Sequence, residues 1–245
     1  MRIARLTHND SPLIGEFIKR ACKSPTESST STEGPFVLLL SLSNPELLAS
    51  INEHFLSTIR SKVRVVQALD AQKALQYLAD TNLKSVYVAD EDILERKNLE
   101  LFSSLIGWVN AGGIAVAGSL FPTLASPLKL NRFFKKWELP WRMGDYHRTT
   151  FVLNRSNRHL SSHSANLATS YNVKAVHLRG VRAEDVLYAP TEDSRVESHV
   201  FAPTKVDPSH VPVAYTRIGD GFLGYIGDVN GEEESTSVIL AMLRL

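Results

Sequence analysis

The first half of the chain is governed by one recurring pattern. A short, unbroken apolar run is followed by an amphipathic stretch, and the unit repeats about every 25 residues. The runs are FVLLLSL (36–42), VRVVQAL (63–69), SVYVAD (85–90) and IAVAG (114–118). Runs without polar alternation belong to strands covered on both faces. Between them, Leu47, Leu48, Ile51, Phe55 and Ile59 make one helical stripe. Ala74, Leu75 and Leu78 make a second, and Phe102, Leu105, Ile106 and Val109 a third. Asn44 stands as an N-cap with Pro45 at the first helical position, Asp70 as a second cap, and Gly112-Gly113 as a stop. Strand–helix repetition of this kind predicts a parallel sheet with right-handed crossovers.

The second half changes character. RTTFVLN (148–154), KAVHL (174–178), DVLYAP (185–190), ESHVFA (197–202), VPVAYTRI (211–218) and GFLGYIGD (221–228) read as strands, and only 157–170 between them reads as helical. The last two strands, joined through Gly219-Asp220-Gly221, form a β-hairpin. A closing helix carries Val238, Ile239, Met242 and Leu243 on one face, and its acidic first turn suits the helix dipole.

Composition closes off several classes. Lys and Arg number 27 against 26 Asp and Glu, so there is no general electrostatic case for nucleic acid or an anionic membrane. The single cysteine, Cys22, excludes an internal disulfide framework and a cysteine-based zinc site, and it fits a reducing, cytoplasmic compartment. No apolar run approaches the roughly 20 residues that span a bilayer. The basic N-terminus lacks the apolar core of a signal peptide, and Asp10 and Glu16 count against a mitochondrial presequence. Residues 24–34, SPTESSTSTEG, contain no apolar side chain and read as a flexible linker. The chain is thus expected to hold an N-terminal segment with its linker (1–34), dispensable for folding, and a single α/β domain (35–245).

In open α/β sheets ligands bind outside the carboxyl ends of the strands. That rule selects Asn44 after the first strand, Asp90 after the third, Ser119 after the fourth, and Asp228 and Asn230 after the last. LPWRMGDYHRT (139–149) adds Asp145 and His147; the histidine titrates near neutrality with a carboxylate close by in sequence. Each candidate has a structural alternative. Asp90-Glu91-Asp92 fits a metal or an acid–base pair, but also a solvated loop capping the next helix. Ser119 sits where an elbow presents a nucleophile, yet Leu120, Phe121 and Pro122 favour an ordinary turn. His147 equally suits a hydrogen-bonded structural role. No metal-ligand spacing and no phosphate loop occurs, so neither metal nor cofactor is expected.

GWVNAGGIAVAG (107–118) and GYIGDVNGEE (224–233), with the order of elements over 35–245, resemble the class I glutamine amidotransferase-like superfamily. Within it the chain is most similar to ThuA-like and related fungal branches. The resemblance implies a three-layer α/β sandwich with a mostly parallel, flavodoxin-like sheet and a late antiparallel hairpin. It also exposes three departures. The amidotransferase elbow holds a cysteine between glycines, whereas this chain reads Gly118-Ser119-Leu120. A His-x-Glu pair follows the late strand in the superfamily, whereas this chain reads Asp228-Val229-Asn230. Cys22 precedes the domain. Without thiolate and base, glutamine hydrolysis is expected to be lost. Two functions remain. The first is a non-catalytic or repurposed module that binds a small molecule or a protein, with Ser119, Asn44, Asp90 and Asn230 lining its site. The second is a hydrolase or isomerase-type enzyme acting on a small polar or sugar-like substrate through Asp228, His147 and Asp145. A homodimer is compatible with either.

Overall fold

The first apolar run forms β1 (Phe36–Leu40), and all five of its residues are buried, as a strand covered on both faces requires. In the computed structural model, residues 34–160, 165–198, 200 and 202–245 are described. After β1 come α1 (Pro45–Ile51), α2 (Glu53–Lys62), β2 (Arg64–Ala68), α3 (Ala71–Leu78) and β3 (Leu83–Val88). Two 3-10 turns, Glu91–Leu94 and Arg96–Asn98, lead into α4 (Leu99–Asn110), β4 (Ile114–Ala117), α5 (Leu120–Leu124) and α6 (Pro127–Lys136). The rest is β5 (Arg142–Leu153), β6 (Ser170–Arg179), β7 (Val186–Ala189), the hairpin of β8 (Val213–Ile218) and β9 (Gly221–Ile226), and α7 (Glu233–Met242).

The described strands form one mixed sheet in the order β2-β1-β3-β4-β9-β8-β7-β5-β6. The first five are parallel, in the order known from flavodoxin-like sheets. The remaining pairings are antiparallel. Helices cover both faces of the parallel half. On one, α3, α4 and α6 bury Leu78, Phe102 and Phe133 against Leu38, Val86 and Ala115. On the other, α1, α2 and α7 bury Leu48, Phe55 and Val238 against Val37, Leu39 and Val116. Alternate residues of one strand thus feed two separate cores.

The antiparallel half curls back on itself. β6, last in the order, has a second neighbour: Val176 N donates to Gly227 O at 2.9 Å and Val229 N to Lys174 O at 3.1 Å. Leu178 and Val211 exchange two further bonds, and bridges form at Ala175–Asp228 and Leu178–Val211. The strands from β9 round to β6 therefore close on the chain just beyond β9. Closure removes the edge that β6 would present, and β2 keeps a whole edge unpaired among the described residues.

Several expectations are corrected. The sheet is not mostly parallel, since its parallel and antiparallel strand pairings are equal in number. The stripe from Leu47 to Ile59 is two helices, broken at Asn52 (φ −122°, ψ 29°), which leaves Leu47 and Ile51 exposed. Asn44 does precede α1, but its side-chain amide donates to Ser43 Oγ instead of capping. The helix expected at 157–170 is absent from its described part: 157–160 and 165–169 are turn and coil, and Ser170 already begins β6. At 197–202 the described residues contribute only the bridge from Glu197 to Arg148. Asp70 does cap α3, accepting Lys73 N at 2.8 Å.

Closure demands a glycine at 227, because a Cβ there would lie 2.0 Å from Val176 O. Replacing Gly227 with Ala must push the strands apart. The expected loss is about 1–3 kcal/mol in urea unfolding, with the native fold retained.

Candidate functional site

β1, β3, β4 and β9 are parallel, so Asn44, Asp90, Ser119 and Asp228 all follow strands that end on one edge of the sheet. Strand order reverses between β1 and β3, the position where such sheets open a crevice. Here Asp90 links the segments that follow the two strands. Its Oδ2 accepts Ser43 N at 3.1 Å, its Oδ1 accepts Asp92 N at 3.3 Å, and the residue is buried. Burial raises its pKa, opposed by those N–H groups. Asp90 thus ties the loop after β1 to its own 3-10 turn. Asn44 is half-buried beside it and Asn230 is exposed.

Ser119 is the unusual residue. Among the described residues three non-glycine residues have positive φ: Ser119, Glu138 and Arg244. Glu138 and Arg244 each follow a helix C-cap, and in both cases the next N–H bonds five residues back, Leu139 to Phe134 and Leu245 to Leu240. That is the Schellman arrangement, which calls for a left-handed residue. Ser119 (φ 56°, ψ −115°) has no such explanation. It joins β4 directly to α5, and Pro122 falls in the first turn of that helix, where it is tolerated. The ordinary turn expected here is therefore a strained strand-to-helix elbow, costing on the order of 1–3 kcal/mol.

Two side chains hold the elbow. Ser119 Oγ donates to Asn52 Oδ1 at 3.1 Å and lies 2.7 Å from the Tyr87 hydroxyl. Since the serine proton goes to Asn52, Tyr87 is the donor in the shorter bond. Burial raises Tyr87's pKa well beyond its ordinary value; the Ser119 bond lowers it and Asp228's charge raises it further. Tyr87 is therefore a permanent donor and does not serve as a base. The break between α1 and α2 now has a reason, because it delivers Asn52 to the elbow.

Asp228 is spent on its own turn. Oδ1 accepts Asn230 N at 2.8 Å and Gly231 N at 3.1 Å, and Oδ2 accepts Glu232 N at 2.7 Å. Burial raises its pKa, against the Ser235 hydroxyl and the N–H groups of Asn230 and Glu232, which lower it. Glu232 turns away and pairs with Arg148 at 2.6 Å. The acidic turn is thus a structural clasp between the end of β9, α7 and β5.

His147 does not join Ser119. It pairs with Ala175 of β6, which in turn bridges to Asp228, so a strand separates His147 from Asp228. Its ring packs on His177, with centroids 4.2 Å apart. Asp145 reaches His210 instead, with Oδ2 2.9 Å from Nδ1. A bulge between Met143 and Tyr146 makes room for this, and His210 packs over Gly144. Asp228, His147 and Asp145, expected to act together, are held by three different sets of partners. Among the described residues no group of three or more His, Cys, Asp or Glu is arranged to hold a metal.

Reading the sequence alone misses Tyr87, Asn52, His177 and His210. The first three carried a signal: a tyrosine inside the buried run SVYVAD, an asparagine inside a helical stripe, and a histidine inside KAVHL. His210 carried none.

No protein-family model matches this chain, and no curated protein matches it. Solved structures do. A ThuA-like protein from Bacteroides uniformis ATCC 8492 superposes with a TM-score of 0.58 at 10% identity, over 89% of this chain and 94% of its own. A cytoplasmic protein from Salmonella typhimurium LT2 gives 0.55 at 9%, over 84% and 95%. At such identities the likeness is one of fold: this chain shares the fold of that ThuA-like protein over 89% of its length.

Elbow strain is measurable by comparing two variants. Ser119→Ala and Ser119→Gly lose the same hydroxyl, and only glycine relieves the backbone. Ser119→Gly is expected to be the more stable of the two by about 1–3 kcal/mol in urea unfolding. Equal stabilities would show that the elbow is unstrained.

A second expectation concerns acid. His177 is fully buried; burial, aided by His147, lowers its pKa to about 3 from an ordinary 6.5, against the Asp145 backbone carbonyl. A histidine with a depressed folded pKa contributes its full stability above the unfolded pKa. That stability is lost as pH falls below 6.5, because only the unfolded chain takes the proton. The slope approaches about 1.4 kcal/mol per pH unit. Urea midpoints between pH 7 and 5 should fall in the natural protein and fall less in His177→Leu.

Proposed function

We propose that this chain is an amidotransferase-like scaffold turned to binding: it recognises a small polar ligand at the carboxyl edge of its parallel sheet and does not hydrolyse glutamine. The observation that carries this is the state of Ser119. Its hydroxyl donates to an amide oxygen and accepts from a tyrosine that stays protonated, so no base takes its proton. A serine nucleophile needs a proton acceptor within hydrogen-bond reach. Asp228, at the position where the superfamily places its base, has both carboxylate oxygens committed to backbone N–H groups. What remains is a half-buried hydroxyl held at a fixed place, on the same sheet edge as Asn44 and Asn230. Such groups orient a ligand without attacking it.

One observation favours the second reading, a hydrolase or isomerase-type enzyme on a small polar or sugar-like substrate. Backbone strain of the kind stored at Ser119 concentrates at active sites. Its titrating groups would be Asp228, His147 and Asp145, and the strand that lies between Asp228 and the other two is what counts against it.

The test is a thermal-shift screen of sugars, small polyols and nucleosides, run beside an assay for ammonia release from glutamine. A ligand at 100 times its dissociation constant stabilises by about 2.7 kcal/mol. The expected result is stabilisation by one class, lost in Ser119→Ala, with ammonia release at the buffer level. Ammonia release that disappears in Ser119→Ala would overturn the binding reading.

A further inference from the structure

The solvent-facing side of the β5–β6 pair carries a cleft of about 840 Å³, within the range of small-molecule sites. Tyr146, Arg148 and Lys174 form its floor; Val196, Glu197 and Thr204 form a wall. Side chains alternate along a strand, so 146 and 148 face away from the buried 147 and 149. The cleft shares no lining residue with Asn44, Asp90, Ser119 or Asp228, and Arg148 on its floor reaches Glu232 of the turn after β9.

Its charges are unequally satisfied. Arg148 is committed to Glu232 at 2.6 Å and to Asn172 Oδ1 at 2.8 Å. Glu197 accepts Asn172 Nδ2 at 2.7 Å. Those four side chains make a continuous chain of hydrogen bonds in which one cation and two anions are fixed. Lys174 is left over. Its ammonium lies 5.0 Å from the centroid of the Tyr146 ring, and among the described residues it has no carboxylate partner. Tyr146 itself is 52% exposed, a large aromatic surface left in water beside a positioned cation.

We propose that this cleft binds a small anionic molecule with an apolar body, its carboxylate or phosphate on Lys174 and its apolar part against Tyr146 and Val196. A cation already oriented by a tyrosine loses little freedom when an anion arrives, and the exposed ring gains cover.

The experiment is a two-dimensional NMR titration of the whole chain with benzoate, phenyl phosphate, inorganic phosphate and neutral benzyl alcohol. Benzoate and phenyl phosphate are expected to give saturable shifts at 146–148, 172–174, 196–198 and 204. Benzyl alcohol and inorganic phosphate should each bind at least about ten-fold more weakly, since each lacks one half of the recognised molecule. Lys174→Met should weaken both aromatic anions about ten-fold and leave benzyl alcohol unchanged. Lys174→Gln, which keeps a polar side chain, serves the same purpose should the methionine variant fold poorly. Absence of saturable shifts, unchanged affinity in the lysine variant, or inorganic phosphate binding as tightly as phenyl phosphate would each overturn the proposal.

Discussion

The architecture hinges on the hydrogen bonds between β6 and the chain that runs on from β9. Val176 to Gly227, Val229 to Lys174 and the Leu178–Val211 exchange turn an open sheet into a closed circuit of strands. Backbone bonds of this kind contribute only about 0.5–1.5 kcal/mol each. Their positional effect is larger. They set the row His147–Ala175–Asp228, and they commit Asp228 to the turn 228–232. They also create the two sides of the β5–β6 pair, one lined by histidines and one open to solvent. The absence of a Cβ at Gly227 is what lets the strands come this close.

The elbow is the second fixed point, and its energetics are nearly balanced. Strain at Ser119 is on the order of 1–3 kcal/mol, and two hydrogen bonds return about 1–3 kcal/mol between them. A turn so closely balanced persists because the surroundings over-determine it. Tyr87 lies on β3, Asn52 lies at the break between α1 and α2, and Ser119 follows β4. Three separate elements thus converge on one hydroxyl. The arrangement positions an oxygen and gives it no means of losing its proton.

The parallel half was legible because its signals are local. Continuous apolar runs, the cap at Asp70 and the glycine stop at Gly112-Gly113 each announce an element from within a few residues. The antiparallel half was less so. Its strands β5 and β6 run longer than their apolar segments, since Arg142, Tyr146, Lys174 and Asn172 face water and dilute the pattern. The stretch 157–170 has helical spacing, yet tertiary pairing claims its end for β6. The carboxyl edge was placed by topology alone: Asn44, Asp90, Ser119 and Asp228 do share it. What each residue does there was not readable, because a carboxylate that caps its own loop and one that faces a ligand look alike in sequence. The strain at Ser119 lives in dihedral angles. The pairing of Asp145 with His210 spans 65 residues and depends on a bulge.

Closure of the antiparallel half has a consequence for how copies of this chain can meet. A sheet with two free edges is a bifunctional unit, and edge-to-edge pairing can then continue without limit. Here one end of the strand order is consumed by bonds within the molecule, and among the described residues β2 alone keeps a whole edge free. The molecule is monofunctional in the sense that a chain-terminating monomer is. Strand pairing through β2 would use up, on both participants, the one whole edge that the described residues leave open, and would stop at two copies.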